Sequence, residues 1–383
     1  MRILFLAPRH PNPPLRGDQR RVFNLATALS NHADVRLLTF GAGEPLPAER
    51  LEVRPLSRSA ATVLATNVRR PLQLLPLQAR LYLDQRMQHL VADTIESWRP
   101  DVVHLTLART GPYMPAGGQQ HVHVDFVDSL ARNMRSRAAA SPLHTRLPFL
   151  VEARLMARYE ARLAAQAATI SVVSAADARQ PGLERATVIP NGVDAEAFDY
   201  VAPRDRPPVL LFFGNLGYFH NVAPAQFVAR EVLPRVRARI PAARLRLAGA
   251  RPAPGVRALA GLDGVEMLGP VDDMVDVLHA GAVAVLPMFS GSGIKNKVLE
   301  AMAAGTPVVA NKLGVEGVDG LVADEHHIQA ESADALADAA VRLLQDADLR
   351  CRLAEAGRRH VVAEFSWDAQ ARRLMELYAG GRQ

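Results

Sequence analysis

The sequence of 383 residues contains a single cysteine, Cys351, which excludes a disulfide within the chain. A chain without structural disulfides is typical of the cytosol, so we predict a cytoplasmic protein. No apolar run in the sequence approaches the roughly 18–20 residues that a membrane-spanning helix needs. The first apolar stretch, Ile3–Ala7, ends at Pro8. It is too short for the hydrophobic part of a signal peptide, and we predict that it is a buried strand.

Aromatic residues make up only 5% of the chain, although 49% of its residues are hydrophobic. This content is enough for two packed cores, and the length is large for one domain. The net charge is +6. The arginines are scattered along the sequence, and no zinc-finger, helix-turn-helix or RNA-recognition signature occurs. We therefore predict no nucleic-acid partner. A solvated arginine-rich surface and contact with an anionic membrane face both remain open explanations of this charge.

Lysine is scarce, because Lys295, Lys297 and Lys312 are the only lysines among the 45 Lys+Arg residues. Two of the three lie in the segment G-S-G-I-K-N-K-V-L-E-A-M-A-A-G-T-P-V-V, residues 291–309. A compact ammonium differs from a guanidinium in geometry and hydration, so its retention here indicates a specific use. The segment predicts a glycine loop, a helix over Asn296–Ala304 and an apolar strand. Such a loop presents backbone N–H groups at a helix N-terminus, where anions bind.

Lys297 and Glu300 share one face of this predicted helix, because they are three residues apart. One interpretation is a crevice wall, in which Lys297 meets a phosphate and Glu300 accepts hydrogen bonds from sugar hydroxyls. The N–H groups of Gly293 and Ile294 would add donors. The alternative is a surface ion pair that follows a glycine turn. The buried strand that follows Gly305 favours the first interpretation, since ligands of doubly wound folds bind at the carboxyl ends of strands.

Apolar strands alternate with helical segments along the whole chain, which predicts an α/β fold with parallel, doubly wound sheets. One series occupies residues 1–190 and a second occupies residues 191–366. Between them, residues 191–208 are rich in proline and resemble a linker between domains.

Several motifs in the chain resemble one known family. Residues 291–309 are similar to the nucleotide-sugar loop of the retaining glycosyltransferases of family 4, which have the GT-B fold. The other matching segments are Gly17-Asp18-Gln19-Arg20-Arg21, Val172–Asp177 with its S-x-x-D pattern, Ile189–Asp194 with P-N-G-V-D, Phe213–Leu216 and Phe365-Ser366-Trp367. The G-D-x-x-R and D-F-V-D patterns resemble most closely the bacterial sugar transferases of exopolysaccharide clusters, and secondary-metabolite transferases are a neighbouring class.

The resemblance implies two Rossmann-like doubly wound domains that face a crevice. An N-terminal acceptor-binding domain, residues 1–190, would be completed by a returning C-terminal helix, residues 367–383. The C-terminal domain, residues 191–366, would bind the nucleotide sugar. The implied function is a metal-independent, retaining transfer of a sugar from a nucleotide-diphosphate sugar to a hydroxyl group of a glycan, lipid-linked or small-molecule acceptor. No cofactor is implied, and the location would be cytoplasmic or peripheral at the inner membrane face.

The resemblance also implies a set of site residues. The catalytic candidates are Lys297, Glu300, Lys295 and Asp128. Donor binding is expected from Gly17, Gly214, Asn215, His220, Val271, Ser292, Gly293, Ile294, Lys295, Lys297 and Glu300. The sequence departs from the family where Ser292 replaces a glutamate and where Asn215 and His220 replace two cations. Lys295 and Lys297 are then the expected replacements, since a departing diphosphate needs about two charges neutralised.

Three other functions remain open. A nucleotide-sugar epimerase of the same fold would need carboxylates around the sugar. A non-catalytic nucleotide-sugar-binding protein would tolerate the missing cations. A metal hydrolase could use His121, His123 and Asp125, which share one strand face because of their period of two, although we expect no metal site. For Asp128 the alternative to an acceptor contact is an N-cap of the helix that begins at Leu130.

Overall fold

Two parallel sheets, each with its own core, organise the chain in the computed structural model. The structure describes residues 1–14, 17–57, 75–117, 120–140, 143–290 and 294–381. The first unit contains Met1–Asn191 together with the C-terminal residues from Gln370 onward, and the second unit contains Gly192–Ala369. The α/β prediction of two Rossmann-like parallel-sheet units is therefore confirmed.

The central strands of the first unit's sheet are buried along nearly their whole length. Both faces of such a parallel sheet are covered, so its central strands are continuously buried. The strands are β1 Arg2–Ala7, β2 Asp34–Phe40, β3 Leu51–Leu56, β4 Val102–Thr106, β5 Val122–Asp125, β6 Thr169–Val172 and β7 Thr187–Val188. Their order is β3-β2-β1-β4-β5-β6-β7, so the direction of winding reverses between β1 and β4.

Helices connect these strands. They are α1 Gly17–Ser30, α2 Leu77–Arg80, α3 Gln85–Trp98, α4 Leu130–Ala140, α5 Leu143–Gln166 and α6 Ala175–Ala178, with a 3₁₀ turn at Ala108–Tyr113. The sequence pattern predicts a helix from Leu81 to Trp98. It begins instead at Gln85, because the carboxylate of Asp84 accepts a hydrogen bond from the backbone N–H of Arg86 and caps the helix there.

The register of the first sheet places polar side chains side by side. Phe5 pairs with His104, His104 with His123, and His123 with Thr169 across β1, β4, β5 and β6. The hydroxyl of Tyr378, from the C-terminal helix, lies 2.6 Å from Nδ1 of His104. These hydrogen-bonding groups are buried within the first unit.

The second unit repeats the plan with the strands β8 Val209–Phe213, β9 Arg244–Ala248, β10 Val265–Gly269, β11 Val283–Val285, β12 Val308–Ala310 and β13 Ile328–Gln329. All of the pairings are parallel and the order is β10-β9-β8-β11-β12-β13. The winding therefore reverses between β8 and β11. In open α/β sheets ligands bind at such a switch point, outside the carboxyl ends of the strands.

The helices of the second part of the chain are α7 Phe219–Phe227, α8 Leu233–Arg237, α9 Pro254–Arg257, α10 Met274–His279, α11 Asn296–Ala303, α12 Ala333–Gln345, α13 Ala347–Phe365 and α14 Trp367–Gly380. A 3₁₀ turn spans Ala258–Gly261. The sequence pattern predicts a single helix over Ala223–Arg239, but a π turn at Val228–Val232 interrupts it. Pro234 has no N–H group, so the α-helical ladder cannot continue unchanged into α8.

The stretch that resembled a linker is part of the second unit from Gly192 onward. The backbone N–H of Val193 donates to the carbonyl of Phe365 at 2.7 Å, and Arg358 donates to the carbonyl of Ala195 at 2.9 Å. The stretch has no helix or strand, as its proline and glycine content predicts, and partners distant in sequence hold it against the second unit. No helix in the described residues is long and apolar enough to cross a membrane.

Candidate functional site

Two glycines bring the carboxyl ends of β8 and β9 close together. Gly214 has a φ of +128° and Gly249 a φ of +141°, a region that side-chain-bearing residues rarely adopt. A Cβ atom on Gly249 would lie 1.7 Å from the carbonyl oxygen of Gly214, so only glycine fits there. On the β8 side, the switch point of the second sheet is therefore lined by backbone atoms without side chains.

Lys297 extends from the first turn of α11 to this strand end. Its Nζ atom donates to Oδ1 of Asn221 at 2.7 Å and lies 4.6 Å from the centre of the Phe212 ring. A Cβ atom on Gly214 would be 3.6 Å from the same Nζ. Burial lowers the pKa of Lys297 to about 8, an effect that Glu300 opposes and Lys295 adds to. The structure therefore holds a partly desolvated ammonium group against the end of β8.

Asn221 is a member of this site that the sequence did not single out. Its side chain is buried, and its Nδ2 donates to the backbone carbonyl of Asn215 at 2.9 Å while its Oδ1 accepts from Lys297. The side-chain oxygen of Asn215 in turn accepts from the N–H of Gly217 at 3.1 Å. Asn221 thus joins the turn after β8 to the lysine of α11.

Lys295 and His220 bring further positive or protonatable groups to the same region. The side chain of Lys295 is only 9% exposed, with Nζ 4.0 Å from a carboxylate oxygen of Glu316, and burial lowers its pKa. His220 shares a hydrogen bond with the hydroxyl of Ser290. Burial and the neighbouring Lys295 both lower the pKa of His220, which favours the neutral imidazole.

Asn311, which no sequence motif indicated, holds the segment that follows β11. Its Nδ2 donates to the carbonyl of Met288 at 2.8 Å, and its Oδ1 accepts from the N–H of Met288 and from that of Gly314, each at 2.9 Å. This clamp fixes the chain just ahead of residues 291–293. Nothing in the sequence distinguishes Asn311 from an ordinary loop asparagine.

The remaining predicted donor residues have different positions. Glu300 lies one turn after Lys297 on α11 and is partly exposed. Ile294 and Val271 pack partly buried against the core of the second unit. Ser292 and Gly293 lie outside the described residues. The structure therefore brings together Gly214, Asn215, His220, Lys295 and Lys297, which we call the lysine cluster.

Gly17 and Asp128 belong to the first unit. Gly17 is exposed at the start of α1, and a Cβ atom added there would meet nothing within 4 Å. The Asp128 side chain reaches solvent from the turn after β5, yet the atoms packed around it and the charge of Asp177 raise the pKa of its carboxyl. The N-cap interpretation of Asp128 is wrong, because Ser129 accepts from the N–H of Arg132 and caps α4 instead.

A buried carboxyl group, Glu160, lies behind this turn and was not predicted. It accepts hydrogen bonds from the hydroxyl of Ser129 at 2.9 Å and from the N–H of Leu130 at 2.7 Å. Burial raises the pKa of Glu160 to about 7 in spite of these donors. Glu160 therefore fixes the start of α4. It comes from a helix distant in sequence, which explains why no local motif revealed it.

The side chains of His121, His123 and Asp125, in and just before β5, contact hydroxyl and guanidinium groups. Nε2 of His121 and Nδ1 of His123 lie 3.2 and 3.0 Å from the hydroxyl of Thr169, and Asp125 pairs with Arg21 at 2.7 Å. Within the described ranges no group of three or more His, Cys, Asp or Glu side chains could hold a metal ion. The three side chains do share a face, as expected, but hydroxyl and guanidinium groups occupy it.

Comparisons with known proteins match each half of the chain to a family model. Residues 15–197 match a model described as Glycosyltransferase Family 4. Residues 207–346 match a model described as Glycosyl transferases group 1. Glycogen synthase of Mycobacterium tuberculosis is 26% identical over 408 residues, covering 100% of this chain and 95% of the relative. A phosphatidyl-myo-inositol mannosyltransferase of that species is 32% identical over 209 residues, covering 50% and 53%.

Solved structures show the same architecture. Sucrose-phosphate synthase from Thermosynechococcus elongatus superposes with a TM-score of 0.65 at 20% identity, covering 99% of this chain and 98% of that one. The Anabaena protein Alr3699/HepE, in complex with UDP, has a TM-score of 0.64 at 16% identity, covering 99% and 100%. At these identities the likeness concerns the fold, which is that of the GT-B glycosyltransferases.

Proposed function

We propose that this chain, a glycosyltransferase of the GT-B type that uses nucleotide sugars, transfers the sugar to a hydroxyl acceptor with retention of anomeric configuration. The observation that carries the proposal is the position of Lys297. Its ammonium group lies at the switch point of the second sheet, between the Gly214 turn and the N-terminus of α11. A diphosphate placed there would meet a cation, a helix N-terminus and backbone N–H groups together.

Leaving-group stabilisation is the main catalytic contribution in this proposal. The bond from the anomeric carbon to the β-phosphate oxygen breaks, and the nucleoside diphosphate leaves with the additional negative charge. Lys297 and Lys295 neutralise that charge in a partly desolvated setting, where each interaction is stronger than in water. A bound diphosphate would also raise the pKa of Lys297 above about 8 and keep the ammonium fully protonated.

The proposed donor pose assigns the other residues of the second unit. Glu300 accepts hydrogen bonds from the ribose hydroxyls, and the base lies near Val271. The N–H group of Ile294, just ahead of α11, is proposed to donate to the phosphates. Asn215 and His220 take the places of the cations expected from the family resemblance, with His220 acting as a neutral hydrogen-bonding group.

Retention follows if the acceptor hydroxyl attacks from the face that the diphosphate leaves. The leaving phosphate then takes the hydroxyl proton, so the reaction needs no dedicated base, while Lys297 and Lys295 supply the charge that a metal ion would otherwise bring to the diphosphate. Asp128 is proposed to bind the acceptor on the first unit. Both the HepE complex with UDP and its complex with UDP-glucose are consistent with a uridine donor, which is the first to test.

The test measures donor consumption and product formation with and without candidate acceptors. Product formed only with acceptor, with the anomeric configuration of the donor in its proton NMR spectrum, supports the proposal. Isomerised donor without acceptor would point to an epimerase, and nucleotide-sugar binding without turnover would point to a binding protein. Activity lost in the presence of EDTA would contradict metal independence.

We further propose that the first unit binds an anionic membrane surface through α5. Leu147, Leu150 and Val151 are 67%, 46% and 52% exposed. Their spacing of three and four residues places them on one helix face. Arg154 and Arg158 are exposed and continue that face by the same spacing. A face with exposed apolar side chains at one end and arginines at the other fits the interface of an anionic bilayer.

The start of α2 extends this apolar face. The backbone N–H of Leu77 donates to Glu152 of α5 at 3.0 Å, and the exposed Leu77 and Leu81 lie one turn apart. Patches of this kind on soluble proteins mark interaction sites. The charge and the apolar content together favour a lipid surface, which suits the lipid-linked class of acceptor.

Vesicle flotation tests the membrane proposal. Wild-type protein should float with vesicles of phosphatidylglycerol and phosphatidylcholine but not with phosphatidylcholine alone, and added salt should weaken binding. A Leu147→Ser, Leu150→Ser variant should stay at the bottom of the gradient. Val322→Ser, at an exposed site of the second unit, is the matched control. Equal flotation of the α5 variant and the control would refute the assignment.

A further inference from the structure

Arg21 is the point at which three of the sequence motifs meet. Its side chain is 1% exposed, and its Nε donates to Oδ2 of Asp125 at 2.7 Å. Its Nη1 donates to the carbonyl of Pro190 and to Oδ1 of Asn191, both at 3.1 Å. Arg21 ends the G-D-x-x-R motif, Asp125 opens D-F-V-D, and Pro190-Asn191 opens P-N-G-V-D. One buried guanidinium therefore connects segments that lie more than 60 positions apart in the chain.

Asp125 connects Arg21 to the turn that carries Asp128. While one of its carboxylate oxygens binds Arg21, the other accepts from the N–H of Val127 at 3.1 Å and from the hydroxyl of Ser171 at 3.0 Å. Burial alone would raise the pKa of Asp125, but Arg21 holds it below its ordinary value. The carboxylate is thus ionised, and both of its oxygens are used in positioning.

Val127 has a φ of +58°, a conformation that β-branched residues avoid. Such strain persists only where the surroundings impose it, and it is concentrated at functional sites. Here the bond from the Val127 N–H to Asp125 helps to impose it, and the next residue in the chain is Asp128. The strained backbone therefore directs Asp128 outward from the end of β5.

We infer that Arg21 is a positioning residue, which sets the Asp128 turn and the Pro190-Asn191 segment at the same time. Through Asp125 it holds the turn that presents Asp128. Through Nη1 it holds the last two residues before the chain enters the second unit. Only the kinetic consequence of this inference rests on the proposed function, because the proposed function assigns acceptor binding to Asp128. The linkage between the two segments can be measured without catalysis.

The first test is amide hydrogen exchange on Arg21→Lys, which keeps the positive charge but cannot reproduce the forked contacts. Exchange should become faster in residues 126–129 and, together with them, at the hydrogen-bonded amides of Ile189 and Val193 on either side of Pro190-Asn191. Arg86→Lys is the matched control, since Arg86 also forms a forked aspartate pair in the first unit, with Asp84. Faster exchange in only one of the two segments, or in neither, would overturn the inference.

The second test is kinetic. In Arg21→Lys the acceptor KM should rise and kcat should fall, by about tenfold to a hundredfold together, as expected for a misplaced contact. Affinity for the nucleoside diphosphate should stay within about twofold, because the lysine cluster is on the other unit. Unchanged acceptor kinetics in a folded variant would contradict positioning. If the wild type transferred no sugar, the proposed function would fail while the exchange result stood.

A pair of Val127 variants provides the test if Arg21→Lys does not fold. Val127→Ala and Val127→Gly both lose the buried side chain, but only glycine relieves the positive φ. We expect the glycine variant to melt at the higher temperature and yet to have the higher acceptor KM. If the more stable glycine variant were also the more active one, the strained turn would have no positioning role.

Discussion

Replacing Lys297 with methionine is expected to abolish most of the transferase activity without destabilising the fold. Methionine is unbranched and of similar length, so the contact with the Phe212 ring can be kept while the charge is lost. The wild-type ammonium bonds to Asn221 at 2.7 Å. Its buried surroundings disfavour the positive charge. Removing that charge should therefore leave the stability unchanged or higher while the activity falls.

The stability effect follows from the pKa of Lys297, which burial lowers from 10.5 to about 8. Each pH unit corresponds to about 1.4 kcal/mol, so below pH 8 the charged lysine costs the folded state about 3 kcal/mol. Losing the bond to Asn221 costs about 1–3 kcal/mol. The free energy of unfolding of Lys297→Met at pH 7 should therefore lie between that of the wild type and about 2 kcal/mol above it.

The pH dependence gives a second signature of the same group. Between about pH 8 and pH 10.5 the unfolded chain binds more protons at this lysine than the folded chain does. The free energy of unfolding therefore increases as the pH rises through this window, because the buried lysine loses its charge. The methionine variant has no ionisable group at position 297, so the corresponding rise should be absent from its urea-unfolding curves.

The activity effect follows from the loss of a charged donor to the departing diphosphate. Removing one preorganised donor from a developing anion typically lowers kcat by about 10²–10³-fold. Initial rates with saturating donor and acceptor measure the change. Lys312→Met is the matched control, because Lys312 is exposed outside the lysine cluster and should change neither quantity. A variant with wild-type kcat, or one that lost stability and activity in parallel, would refute the reasoning.

The two-unit fold could be predicted because its cause is local in the sequence. Apolar runs such as Val209–Phe213 can be recognised one by one, and their alternation with helical segments permits few arrangements. Lys297 could be singled out because lysine is so rare in this chain. The rule that ligands bind beyond strand ends indicated a site for the 291–309 segment, whereas the contact of Lys297 with the Gly214 turn came from the structure.

The residues that escaped prediction act through distant partners. Asn221 and Lys297 are 76 positions apart, and Ser129 and Glu160 are 31 apart. The tertiary fold brings these residues together, and no local sequence pattern reveals the pairs. Residues 192–208 resembled a linker for the same reason, because their partners are distant in sequence. Arg358, which donates to the carbonyl of Ala195, is 163 positions away from it.

Two further predictions concern carboxyl groups. Glu300→Gln should raise the donor KM with little effect on kcat, since the amide is a weaker acceptor for ribose hydroxyls than the carboxylate. Unchanged nucleotide affinity in calorimetry would contradict the ribose assignment. Glu160 has its pKa raised from 4.5 to about 7. The folded chain therefore keeps a proton there that the unfolded chain releases, and this contribution to stability is lost as the pH rises from about 4.5 to about 7. Glu160→Gln should remove that decline and be more stable than the wild type at pH 8 in urea unfolding. The partly exposed Glu152→Gln is the control, and an identical decline in wild type and Glu160→Gln would show that another group is responsible.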